Sequence, residues 1–261
     1  MIGAISRWFG LLAMCLILTS CGDDRFPDYH YKMTVHVGDK AFSSVRAVEQ
    51  SETSSIVDST GKTVKTKMRG EAVIIDHPNG RTYYALLSKP GSPQYGAFAA
   101  ELALMPLVAK AQRKPQDNWT GSNQSGDLDL RAQDQQAMVA IKGPQELKRM
   151  IPIDQLRRHA GSGDPDFPGW PMFVTFSDPA DPRTVREVTP ESIGVSRITV
   201  EITDEDVTTG IEKRLGWLTT YYNRQLSGER FESLDDYKKN GVSARIGAGS
   251  FSAGNGLSPY E

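Results

Sequence analysis

The stretch Tyr29–Val37, YHYKMTVHV, decides the fold. Tyr29, Tyr31, Met33, Val35 and Val37 alternate with His30, Lys32, Thr34 and His36. Successive side chains of an extended chain point to opposite faces, so this period of two predicts a strand with one dry and one wet face. Gly38-Asp39 supplies a turn, and Phe42–Val48 reads as a second strand returning beside the first. Further along, Met68–Asp76 (MRGEAVIID) and Thr82–Ser88 (TYYALLS) flank HPNGR, where Asn79-Gly80 suits a tight turn with positive φ. Met172–Phe176 and Ile198–Ile202 read as two more strands.

Helical spacing is clearest over Gly96–Arg113, where Phe98, Leu102, Met105 and Ala109 recur on one side. Pro106 should kink or divide that helix, because it removes a backbone donor and clashes with the preceding turn. Ala137–Ile141 reads as a strand, and Pro144–Arg158 as a helix facing the core through Leu147, Met150, Ile151 and Leu156. Thr209 and Glu212 have capping-box spacing at the start of an apolar stripe of Ile211, Leu215 and Leu218. Residues 114–127 read as an exposed loop, and the Gly/Ser-rich residues 240–261 as a flexible tail. Strict βαβ alternation is absent. The expectation is one α+β domain over residues 29–239, mainly an antiparallel sheet built from hairpins with a few packed helices.

Upstream of the first strand runs MIGAISRWFGLLAMCLILTSC. Trp8–Leu18 is almost wholly apolar and follows Arg7. It is shorter than the roughly 20 residues a spanning helix needs. It fits the apolar segment of a secretory signal. The chain has two cysteines, Cys15 and Cys21, and the second closes the segment Leu18-Thr19-Ser20-Cys21. That segment resembles a bacterial lipobox. The resemblance implies that residues 1–20 are a signal peptide, that Cys21 carries a thioether-linked lipid and an amino-terminal acyl chain such as palmitate, and that residues 21–28 are a tether. Gly22 after the cysteine leans toward the outer membrane over the inner one, with the body facing the periplasm. One acyl chain holds a protein weakly, whereas several hold it durably. On this reading no thiol remains for a disulfide, a nucleophile or a metal.

The run Val174–Leu218 carries an Asp-Pro turn, the strand ITVEIT and the segment TTGIEKRL. It resembles a set of proteobacterial proteins to which no activity is assigned. Tyr29–Val37, Ser43–Glu49 and Met68–Asp76 belong to the same likeness, so it spans most of residues 29–218. It implies no catalytic or ligand-binding residue.

Chemistry was sought residue by residue. The formal charge is −2 and no long basic stripe appears, which argues against nucleic-acid binding by bulk electrostatics. Gly61-Lys62-Thr63 fails as a phosphate loop because Ile56 stands where the first glycine is required. Ser59-x-x-Lys62 lacks the downstream partners of penicillin-binding enzymes. Gly247–Ser252 misses a dinucleotide fingerprint at its third glycine. His30 and His36 share a strand face but lie about 20 Å apart at ~3.3 Å per residue, and His77 and His159 have no ligand spacing. Asn118 and Asn123 open sequons that read as a polar loop. Three carboxylate groups stay open: Asp164 with Asp166, Asp178 with Asp181, and Asp204, Glu205 and Asp206. Such oxygens hold calcium in loops, and they equally cap turns or helix starts. The expectation is therefore a binding or assembly protein held by Cys21, working with another envelope protein, with no assigned catalytic, cofactor or metal residue. An anchored hydrolase and a calcium-dependent binding module are the alternatives.

Overall fold

The computed structural model describes residues 25–54, 62–89, 92–112, 125–152, 166–222, 224–230 and 241–254. Among them the chain forms β1 (Tyr29–Val37), β2 (Lys40–Ser54), β3 (Lys62–Glu71), β4 (Val73–Asp76), β5 (Thr82–Ala85), α1 (Tyr95–Gln112) and α2 (Ser125–Val139). Then follow β6 (Gln145–Glu146), β7 (Met150–Pro152), β8 (Asp166–Pro168), β9 (Phe173–Phe176), β10 (Val185–Val188), β11 (Val195–Thr203) and β12 (Ser252–Ala253). The architecture is α+β and dominated by antiparallel sheet.

A six-stranded sheet has the order β12-β3-β2-β1-β11-β6. Its centre is the strand whose alternation is cleanest. Every odd position of β1 is buried and every even one is half-buried. Tyr31 lies opposite Arg46 on β2 and Ile202 on β11, and Met33 lies opposite Ser44 and Val200. Helix α1 covers this inner face with Ala99, Ala100, Ala103 and Leu104. Small alanines let the helix approach the sheet closely. It runs through Pro106 without dividing, so the expected break does not occur.

The second sheet has four strands in the order β10-β9-β5-β4. Only Ala72 separates β3 of the first sheet from β4 of the second. This small sheet is buried on both faces. Tyr83, Ala85 and Phe173 join the first core, with β1, β11 and α1. Tyr84, Leu86, Val174 and Phe176 join a second core, closed by Ile211, Leu215, Trp217, Leu218, Leu226, Ile246, Ala248 and Phe251. Alternation along β5 and β9 thus feeds two cores at once.

Several expectations from the sequence are corrected here. Residues 137–139 belong to α2, not to a strand, and α2 begins at Ser125 inside the expected loop 114–127. Its buried face mixes Leu128, Ala132 and Met138 with Asp134 and Gln135, which hides the helical period. Gln135 is buried because its amide donates to Glu101 on α1 at 3.0 Å. The expected helix 144–158 is replaced, where described, by β6 and β7. Leu147 is buried and its N–H bonds Ile198 of β11, while β7 pairs with β8. Strands of two and three residues are too short to show alternation, and Pro144 and Pro152 do not favour a helix interior.

The largest correction concerns the carboxyl-terminal end. Residues 241–254 are not a flexible tail: Phe251 is fully buried and Ile246 and Ala248 line the second core. The amides of Leu87 and Ala72 donate to Ser250 and Phe251, each at 2.8 Å. Glycine here marks close approach. A Cβ on Gly254 would sit 2.8 Å from the Met68 carbonyl and 2.5 Å from Arg69 Cγ, at a φ of +62°. Residues 25–28 are likewise part of the body and not tether. Phe26 is 1% exposed against Leu128, Ala132 and Val64, and the Gln50 N–H donates to the Asp28 carboxylate at 2.8 Å.

Candidate functional site

A polar seam crosses the first core. Arg46 on the inner face of β2 is fully buried. Its stem needs Gly70 beside it, since a Cβ there would lie 2.8 Å from Arg46 Cγ. Nη1 donates to the Tyr31 hydroxyl and Nε to the Glu71 carbonyl, both at 3.2 Å. Nη2 has no hydrogen-bond partner, and Arg46 has no ion pair among the described residues. Burying a cation unpaired is costly, so this is the least expected contact in the fold. The Tyr31 hydroxyl donates in turn to the Gly96 carbonyl at the start of α1. Tyr95 alongside donates to Gly169 at 2.7 Å. Burial pushes both phenols up, and the Arg46 guanidinium partly offsets it.

Lys89 ends the seam. Its ammonium lies 4.1 Å from the Phe167 ring centre and 5.0 Å from that of Tyr95, and donates to the Pro168 carbonyl. Burial pulls this amine down to about 8. The ring faces and the carbonyl favour the charged form, while desolvation opposes it. Lys89 thereby fastens the β8 segment over the start of α1.

At the other end stands Glu71, 1% exposed. Its carboxylate accepts from the amides of Gly210 at 2.9 Å and Ile211 at 3.0 Å. This long-range cap replaces the expected Thr209–Glu212 box. Ile211–Lys213 forms one 3-10 turn whose Gly210 start has no side-chain cap of its own. Thr208 instead accepts from the Val45 N–H at 2.9 Å, pinning the segment across β2.

The seam thus joins β1, β2, β3, α1, β8 and the 208–213 turn. Arg46, Tyr31, Tyr95, Glu71 and Lys89 are buried and Thr208 and Phe167 half-buried, so the seam holds these elements in position. One signal in the sequence could have found it: Phe42, Ser44, Arg46 and Val48 share the strand face that pairs with the buried face of β1.

The residues singled out from the sequence remain apart. Asp178 accepts from the Ala180 N–H at 2.9 Å. Asp181 accepts from the Arg183 N–H at 3.0 Å and from its guanidinium at 2.8 and 2.9 Å. The side-chain and backbone bonds from Arg183 hold the Asp181 carboxyl below its usual range. Both are turn caps. Asp204, Glu205 and Asp206 are exposed, with Glu205 paired to Lys32. Among the described residues no three of His, Cys, Asp or Glu gather as metal ligands. His30 meets the Glu205 carbonyl at 2.8 Å, and His77 accepts from the Asn79 N–H at 3.1 Å. Burial, then Arg197, lowers His36. Ser88 and Ser250 bond each other at 2.6 Å in the interior, with no histidine bonded to either among the described residues. Cys21, Ser59, Asp164 and His159 lie outside the described residues, as do Asn118 and Asn123.

The amino-terminal approach to β1 is the best-anchored feature of the surface. The Arg25 guanidinium bonds Glu52 of β2 at 2.7 and 3.1 Å and also pairs with Asp129 of α2. Gln136 donates to the Arg25 carbonyl at 3.1 Å, and Arg131 lies 5.5 Å from the Phe26 ring centre. Among the described residues no helix is long and apolar enough to cross a membrane. No protein-family model matches the chain, and no curated protein or solved structure matches it.

Proposed function

We propose that the chain is a bacterial envelope lipoprotein, attached through Cys21 to the outer membrane, whose α+β body of successive hairpins faces the periplasm and binds or assembles with another envelope protein. The observation that carries this is Leu18-Thr19-Ser20-Cys21 closing the apolar run Trp8–Leu18 behind Arg7. A binding role is favoured over catalysis by where the perturbed groups lie. Tyr31, Tyr95 and Lys89 are buried, and Asp181 is engaged by Arg183 in a turn. No open constellation of acid, base and nucleophile appears among the described residues.

The test is membrane fractionation of cells expressing the wild type and Cys21→Ser. The wild type should sediment with outer membranes, and the variant should be released or stall unprocessed. A Cys21→Ser protein that stays in the outer membrane would overturn the anchor. Cross-linking of the wild type in its envelope should then capture one stoichiometric protein partner. Absence of any such partner would move the weight to an anchored hydrolase or a small-molecule binder.

A further inference from the structure

We infer that the end of the domain where β2 finishes and β3 starts is its membrane-facing pole, resting on lipid headgroups, and that the Gly38–Asp39 turn is the distal pole. This rests on lipidation at Cys21. Four Cα-to-Cα steps separate Cys21 from Arg25, and an extended chain covers at most about 3.6 Å per step, so Cys21 lies within roughly 15 Å of Arg25. Arg25 cannot swing away, because Glu52, Asp129 and Gln136 hold it and Phe26 is buried beside it. The tether therefore leaves the body beside Glu52, near the end of β2. From Glu52 back to Lys40 the strand runs twelve residues, about 40 Å at ~3.3 Å per residue.

Two exposed cations lie on this half of the ribbon. Lys65 and Lys67 alternate outward on β3, both exposed, opposite Ser51 and Glu49. Glu49 is taken by Arg69 and Glu52 by Arg25, which leaves the two lysines without a carboxylate partner among the described residues. Cations held close to a headgroup layer are attracted to it over about a Debye length. The long antiparallel ribbon then stands away from the bilayer. A partner of the distal pole must reach some 40 Å off the membrane, a distance set by the length of β2.

The test uses the mature chain carrying an azido amino acid at position 65 or position 39, each clicked to the same fluorophore. The protein is reconstituted in vesicles of phosphatidylethanolamine and phosphatidylglycerol containing headgroup spin-labelled quencher. Intact mass first reports whether Cys21 carries native lipid. If it does not, the envelope reading fails separately, and a maleimide-lipid coupled to Cys21 provides the anchor for the same comparison. The fluorophore at position 65 should be quenched at least several-fold more than the one at position 39. Equal quenching would mean the domain lies flat, and stronger quenching at position 39 would mean it is inverted. Either result overturns the proposal.

Discussion

The two cores are built by different means. The first rests on β1, β11 and α1, where regular periods bury Tyr31, Met33, Val35, Ile198 and Val200. The second is closed by residues 211–222, 224–230 and 241–251, where the described elements include short 3-10 turns, yet Ile211, Leu215, Leu226 and Phe251 are fully buried. There the apolar mass is aromatic. Phe176, Trp217 and Phe251 stand 5.6–5.7 Å apart, with Tyr84 at 5.7 Å from both phenylalanines. Tilted and edge-on rings at this spacing stabilise beyond simple burial. A chain without a repeating pattern can therefore close a core if a few large rings meet and its turns are capped from elsewhere. The reverse holds in the first core, where the period is regular but a costly unpaired cation is tolerated.

The comparison can be broken most directly at Phe251. Phe251→Ala should cost about 3–5 kcal/mol, read by urea denaturation, because a fully buried ring leaves a cavity. A loss below about 1 kcal/mol would mean that residues 241–254 do not belong to the folded unit. Next comes the clasp between the cores. Glu71→Ala should cost about 1.5–3 kcal/mol or more, since it strands two amides that a buried carboxylate accepts. Hydrogen exchange should speed up at Gly210 and Ile211 before it does along β1.

Arg46→Met sharpens the contrast from the other side. An unpaired buried guanidinium replaced by an apolar chain of similar length should leave stability within about 1 kcal/mol of wild type, or raise it. A loss of several kcal/mol would mean that Arg46 is paired in solution.

The pH profile should show a rise and then a fall. Lys89 titrates near 8 when folded and near 10.4 when unfolded, so its desolvation cost is present below about pH 8. Between those values the unfolded chain binds more protons, and stability from this group rises with pH. Tyr31, Tyr95 and Tyr84, the last at about 12, act oppositely. Their contribution is complete below pH 10 and is lost as pH climbs through the folded values. Lys89→Met should flatten the rise and keep the fall, in melting temperatures taken from pH 7 to 11. The smallest effect should come from calcium: millimolar addition should leave the melting temperature unmoved, since Asp178 and Asp181 already hold amides and Arg183.

What could be read in advance follows the same division. The alternation of Tyr29–Val37 was legible because one face is buried over many residues; α1 was legible as a helix, although its buried residues include Ala97, Ala99, Ala100, Ala103 and Leu104 and do not keep to the side of Phe98 and Met105. β6, β7 and β8 were not, being too short to show a period. α2 was disguised by Gln135, whose burial depends on Glu101, distant in the chain. Residues 246–251 looked like tail because Gly, Ser and Ala dominate them, and only Ile246 and Phe251 signalled a core. The seam was hidden for a related reason. Arg46 on a strand reads as a wet-face residue until its register with Tyr31 places it inside.

The measurement that bears most directly on attachment is the intact mass and amino-terminal peptide of the protein extracted from its own envelope. The expected result is a chain beginning at Cys21, heavier than the bare polypeptide by a diacylglyceryl group and one further acyl chain. A chain that begins elsewhere, or an unmodified Cys21, would contradict the anchor.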